Sequence, residues 1–182
     1  MVGKIIIADD HPIFREGLRR IIQRIITAPI VEVGDTETLM LEAAKQEAPA
    51  MMLLDLVFPG FKGAETTADL RQAYPSSALV VISMTDDKQV AEDIIAAGAN
   101  GFISKSVPAD EMTLTIEKIM EGEIVICLDG IESDSAVNSD PFPSLSPRHI
   151  DVLIRLSQGK TNKEIARELG ISPFTVRSHI SA

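Results

Sequence analysis

Five short apolar runs, each followed by a stretch of helical periodicity, constrain this chain more than any other feature. The runs are Ile5–Ala8, Ile30–Val33, Met51–Asp55, Ala78–Ile82 and Gly101–Ser104. Each is too short for a core helix and, Glu32 in the second apart, unbroken by polar alternation, which is how strands buried on both faces read. Between them, Phe14, Leu18, Ile21, Ile22 and Ile25 recur on one helical face. A second helix is predicted from about Thr36 to Gln46, after Gly34, and a third from about Gly63 to Ala73, stopping before Pro75. Val90, Ile94 and Ala97 mark a fourth, which Gly98 is suited to end. Met112, Ile116, Ile119 and Met120 mark a fifth. Strand and helix alternating in this way predict an α/β fold, a doubly wound five-stranded parallel sheet.

Right-handed crossovers in such a sheet bring the carboxyl ends of the strands to one edge, where sites form. The residues at those ends are polar and chemically coherent. Asp9, Asp10 and His11 follow the first strand, Asp55 ends the third, Ser83 follows the fourth and Lys105 the fifth. Neighbouring carboxylates suit a hard divalent cation such as Mg²⁺. A carboxylate beside such an ion can act as a nucleophile toward a phosphoryl group. Lys105 and Ser83 then offer the positive charge and the hydroxyl that incoming phosphoryl oxygens need. Singly, each has a plainer reading: Asp10 as a cap for a helix opened by Pro12, Lys105 solvated, Ser83 an ordinary strand-end residue. Their joint placement at four strand ends favours a site.

The remainder of the chain differs in composition. Net charge is −10, but residues 144–182 carry six basic against three acidic side chains, while residues 1–143 carry 11 basic and 24 acidic. Such asymmetry suggests domains with different partners. We divide the chain into a first domain over 1–123, an acidic flexible linker over 124–143 and a helical domain over 144–182. At that boundary Ile124–Ile126 read as an extended strand that ends the first domain, and Ser, Asn, Gly and Pro punctuate the acidic stretch that follows. In the last segment, Ser146-Pro147 opens a helix with Ile150, Leu153 and Ile154 on one face. Thr161 caps a second, with Glu164 completing a capping box and Ile165, Ala166 and Leu169 inward. After Gly170, Ser172-Pro173 opens a third holding Val176 and Ile180. Helix, glycine-containing turn and helix on a basic background outline a helix-turn-helix, with Lys160, Lys163 and Arg167 facing phosphates and Arg177 the candidate for a base edge.

No stretch approaches the ~18 apolar residues of a membrane span. One cysteine, Cys127, and an N-terminus without signal-peptide features point to the cytoplasm. Gly159-Lys160-Thr161 imitates the end of a phosphate-binding loop, but Ile154 stands where the upstream glycine belongs. His11, His149 and His179 do not cluster with Cys127 at any metal-site spacing.

IIIADDHPIFREGL, LLDLVFPG, VVISMTDD and GFISK resemble the receiver domain of a bacterial response regulator. The stretch from LSPRHIDVLIRL to FTVRSHI resembles a LuxR-type helix-turn-helix. Together they resemble the NarL/FixJ family of two-component transcription factors over essentially the whole chain. The resemblance implies Asp55 as phosphoacceptor, served by a cognate sensor histidine kinase. It implies an acidic pocket of Asp9 and Asp10, and Mg²⁺ held by Asp10, Asp55 and the main-chain carbonyl of Val57. Ser83 becomes the switch hydroxyl, Lys105 the counter-charge and Phe102 a switch aromatic. It also implies promoter DNA as a partner, further DNA contacts near Thr175, Ser178 and Ser181, and a homodimer on phosphorylation. The family continues into a fourth helix, whereas this sequence ends at Ala182, about ten residues into the third. The expectation is therefore an incomplete DNA-binding domain.

Two rival readings follow. One is a signalling receiver acting through protein contacts, its shortened output domain not binding DNA. The other is an aspartate-nucleophile phosphohydrolase. That chemistry commonly needs an Asp two residues after the nucleophile, where this chain has Val57. The expectation is a non-enzyme.

Overall fold

Because successive side chains of a strand point to opposite faces, an unbroken apolar strand requires cover on both sides. The computed structural model, which describes residues 3–45, 47–129, 152, 155–169 and 176, meets that requirement. Strands β1 (Ile5–Ala8), β2 (Ile30–Val33), β3 (Met51–Asp55), β4 (Ala78–Ser83), β5 (Gly101–Ser104) and β6 (Val125–Cys127) form one sheet. Their order is β2-β1-β3-β4-β5-β6, and every pairing is parallel. Ile5, Ile7, Leu53, Val80, Ile82 and Ile103 pack on one face against Leu18 and Ile22 of α1 (Pro12–Ile25) and Ile116 and Ile119 of α5 (Ala109–Met120). Ile6, Ala8, Met52, Leu54, Val81 and Phe102 take the other. They pack with Leu39 of α2 (Thr36–Ala43), Leu70 of α3 (Ala64–Ala73) and Ile94 of α4 (Lys88–Ala96).

The sequence predicts five strands, and the sheet holds six. Val125–Cys127 pair with the outer edge of β5, Val125 and Cys127 facing the α1–α5 layer and Ile126 the other. Leu128 follows it into the core, and the Asp129 N–H donates to Asp86 Oδ1 at 3.1 Å. The extended strand expected at the end of the first domain is thus the sixth strand of the sheet, because an edge as apolar as β5 gains both hydrogen bonds and cover from a further strand. Residues 130–143 of the linker lie outside the described residues.

Helix ends follow their chemistry with two corrections. The second helix stops at Ala43, short of the predicted Gln46, where Lys4 Nζ donates to the carbonyls of Glu42 and Lys45. Asp10 does not cap α1; His11 is the capping residue, and its N–H donates to Asp9 Oδ1 at 2.7 Å. Gly98 ends α4 at φ +110°, and a Cβ there would lie 2.7 Å from Cγ of Arg71. The guanidinium of Arg71 donates to the carbonyls of Gly98 and Ser77 (both 2.8 Å) and to Asn100 Oδ1 (2.6 Å).

In the C-terminal segment, α6 (Asn162–Leu169) carries the predicted capping box. The Thr161 N–H donates to Glu164 Oε2 at 2.8 Å, and the Glu164 N–H to Thr161 Oγ1 at 3.4 Å. Ile165 and Ala166 pack with Val152 and Val176, flanked by Leu156 and Leu169. Each of the three predicted helices therefore gives a residue to one small core. Ile150, Leu153, Ile154, Gly170, Ser172, Pro173 and Ile180 lie outside the described residues.

Candidate functional site

The strand order reverses between β1 and β3: the chain steps outward to β2, then returns to the other side of β1. Helices on either side of such a reversal diverge, leaving a crevice beyond the strand ends. Asp9 leaves β1 at this point and Asp55 ends β3 beside it, 1% and 4% exposed. Two carboxylates this deep require compensation. Lys105 supplies it from the end of β5, its side chain 6% exposed, with Nζ 2.7 Å from Asp9 Oδ2 and 2.9 Å from Asp55 Oδ2. The same ammonium lies 4.5 Å from the centroid of the Phe14 ring on α1, a cation–π contact in a dry setting. Arg15 completes the wall, its guanidinium donating to the Asp9 carbonyl at 2.5 Å.

The other oxygen of Asp9 faces outward. His11 Nδ1 lies 3.1 Å from Asp9 Oδ1, 2.8 Å from Asp10 Oδ1 and 4.0 Å from Asp55 Oδ2. One ligand atom from each of Asp9, Asp10, His11 and Asp55 falls within 4.8 Å of the others. Three carboxylates so placed are a donor set that a hard divalent cation fits. Asp55 Oδ1 accepts the Val57 N–H at 3.3 Å, which draws the following loop, and with it the Val57 main chain, over the carboxylate.

Ser83 and Phe102 occupy the expected positions and are both fully buried. The Ser83 hydroxyl accepts the Thr85 N–H at 3.1 Å and is thus engaged with its own loop. Phe102 packs in the core beside Ala91, Ile94 and Ala99. Sequence reasoning missed His11, which it weighed only against distant histidines and Cys127. The signal lay in its position, immediately after two site carboxylates.

Among the residues expected to meet DNA, Lys163 and Arg167 are exposed on α6. Lys160 is engaged: its ammonium lies 2.6 Å from both carboxylate oxygens of Glu168, and this contact holds the Glu168 carboxyl below its usual range. Thr175, Arg177, Ser178 and Ser181 lie outside the described residues.

Comparison with known proteins identifies the family and the fold. Residues 5–117 match the family described as response regulator receiver domain, and residues 143–182 match bacterial regulatory proteins of the luxR family. The chain is 33% identical to the glycerol metabolism activator of Pseudomonas putida, over 98% of this chain and 86% of that protein. It is 32% identical to the crystal structure of a two-component response regulator of the LuxR family from Aurantimonas sp. SI85-9A1. That similarity covers 67% of this chain and 87% of the other at a TM-score of 0.60. RcsB of Salmonella enterica serovar Typhimurium, solved bound to promoter rprA with a phosphomimetic, is 22% identical and shares the fold. It covers 97% of this chain and 87% of its own at a TM-score of 0.56. A further RcsB structure holds two dimers on two parallel DNAs.

Proposed function

Because the chain belongs to the NarL/FixJ family of two-component response regulators, a receiver joined to a LuxR-type DNA-binding region, we propose that Asp55 is its phosphoacceptor and a sensor histidine kinase its donor. The observation that carries this reading is the buried ammonium of Lys105 lying 2.9 Å from Asp55 and 2.7 Å from Asp9. It neutralises the nucleophile's surroundings and awaits a dianionic group. An oxygen of Asp55 attacks phosphorus, the bond from phosphorus to the donor imidazole breaks, and the imidazole keeps the electron pair. Asp10, Asp55 and the Val57 carbonyl would hold Mg²⁺, with Asp9 completing the acidic pocket, and the ion would offset charge on the phosphoryl oxygens. Lys105 turns to the new acyl phosphate. Ser83 releases the Thr85 N–H and donates its hydroxyl to a phosphoryl oxygen.

The phosphoryl group adds ~1.5–2 negative charges at a buried position. That is enough to bias a two-state element, here the loop from Ser83 with the face of α4, β5 and α5. Phe102 is the aromatic within that face. The output is promoter binding in the cytoplasm by a receiver-paired homodimer. Lys160, Lys163 and Arg167 contact phosphates, Arg177 a base edge, and Thr175, Ser178 and Ser181 flank it. Lys160 must leave Glu168 to do so. The site modifies itself and does not turn over a substrate: Val57, its side chain exposed, stands where a phosphohydrolase needs its acid.

The test is phosphorylation by a small-molecule phosphodonor with Mg²⁺, read by mass spectrometry. Asp55→Asn is expected to remain folded and unlabelled, and labelling of that variant at another single residue would overturn the assignment. Duplex binding by fluorescence anisotropy follows. A phosphorylated wild type without DNA affinity would instead support the receiver acting through protein contacts.

A further inference from the structure

We propose that His11 is a nitrogen ligand of the cation pocket, making it selective for imidazole-seeking first-row ions (Co²⁺, Ni²⁺, Zn²⁺) beyond what its carboxylates alone confer. This inference rests on the reading above, in which Asp9, Asp10 and Asp55 hold a divalent ion, and it adds a donor of a different kind. Lys105 takes Oδ2 of Asp9, whereas His11 lies on Oδ1 of the same carboxylate. A cation bound on the His11 side therefore does not compete with the ammonium for an oxygen of Asp9. The spacing also fits. Ligands ~2.1 Å from an octahedral ion sit ~3.0 Å apart when adjacent, and Nδ1 lies 2.8 Å from Asp10 and 3.1 Å from Asp9.

The backbone holds the ring in place. His11 is the capping residue of α1, its N–H is fixed to Asp9 Oδ1, and Pro12 follows at the first helical position. Its side chain caps nothing, so the ring is not needed by the helix. Carboxylate oxygens suit Mg²⁺, which gains little from nitrogen, whereas imidazole favours later first-row ions. His11 should therefore raise affinity for the latter and leave Mg²⁺ nearly unchanged.

The experiment is calorimetric titration of the full chain with Co²⁺ and, separately, Mg²⁺, for wild type, His11→Ala and His11→Asn. Proton NMR of the Co²⁺ form accompanies it. The wild type is expected to show a hyperfine-shifted imidazole N–H resonance. Both variants are expected to lose that resonance and to bind Co²⁺ at least fivefold more weakly, with Mg²⁺ affinity altered less than twofold. The Asn variant keeps a polar group beside the carboxylates, so loss in Ala alone would mark a hydrogen-bonding role and overturn the proposal. A Co²⁺ loss below fivefold, or an equal loss for both ions, overturns it while leaving the carboxylate site standing. Failure of the wild type to bind either ion overturns the site itself.

Discussion

Asp9 and Asp55 share a single ammonium, and that sharing governs what each can do. Were Lys105 absent, two buried carboxylates would face each other with His11, main-chain donors and, on the Asp9 carbonyl, Arg15 beside them among the described residues. Removing one partner of a buried ion pair typically costs about 3–5 kcal/mol, because the remaining charge stays desolvated. Lys105→Met should accordingly lower stability to denaturant by about 3 kcal/mol in chelator. Millimolar Mg²⁺ should restore part of that loss, since an ion in the carboxylate pocket does part of the ammonium's work. Equal loss with and without the ion would mean that the lysine supports packing on Phe14 and not charge. The acid residues were legible from sequence because each ended an apolar run. The role of His11 was not, since it depends on which way a capping residue turns. The Ser83–Thr85 contact was equally out of reach, being set by one loop's main chain.

At the level of elements, apolar runs and helical faces sufficed to place β1 to β5 and α1 to α5. Both cores are continuous, and period-two and period-3.6 patterns carry that information directly. Boundaries were less legible: α2 ends at Ala43, where Lys4, far away in sequence, donates to the carbonyl of Glu42 and, just past the helix, to that of Lys45. For β6 the sequence offered an extended strand at the end of the first domain, without its place in the sheet. Three residues beside an acidic, glycine-containing stretch carry too little pattern to announce membership of a sheet. The capping box of α6, in contrast, is a strictly local device, and the sequence predicted it completely. There, the Thr161 main-chain N–H, followed by its hydroxyl, holds the Glu164 carboxyl below its ordinary range. A depressed carboxyl contributes stability that is present above its unfolded value and lost as pH falls through the folded one. Helicity of the C-terminal segment should therefore persist through neutral pH and decline from about pH 4 downward. In Glu164→Gln, circular dichroism should find that acid-dependent step reduced; an unchanged step would assign it to other carboxyls.

The whole first domain extends past the residues that match the receiver family, which end at 117. Val125, Ile126, Cys127 and Leu128 are all buried, and full burial of such side chains stabilises by roughly 1.5–3 kcal/mol each. A fragment ending at 129 should unfold cooperatively and remain monomeric. One ending at 123 should lose several kcal/mol and self-associate through the bared edge of β5, as light scattering would reveal. Similar behaviour of the two fragments would reduce β6 to an ornament. The bond from Asp129 to Asp86 gives this strand a second meaning: the chain leaves the receiver tied to the loop that begins at Ser83.

The ion pair between Asp9 and Lys105 spans 96 positions of the chain. During synthesis at ~5–20 residues per second, the first carboxyl is made roughly 5–20 s before its partner. For that interval Asp9, and Asp55 once it is made, lack the ammonium that compensates their burial. The carboxylate pocket therefore exists only once β5 has been made and laid into the sheet, whatever follows it in the chain.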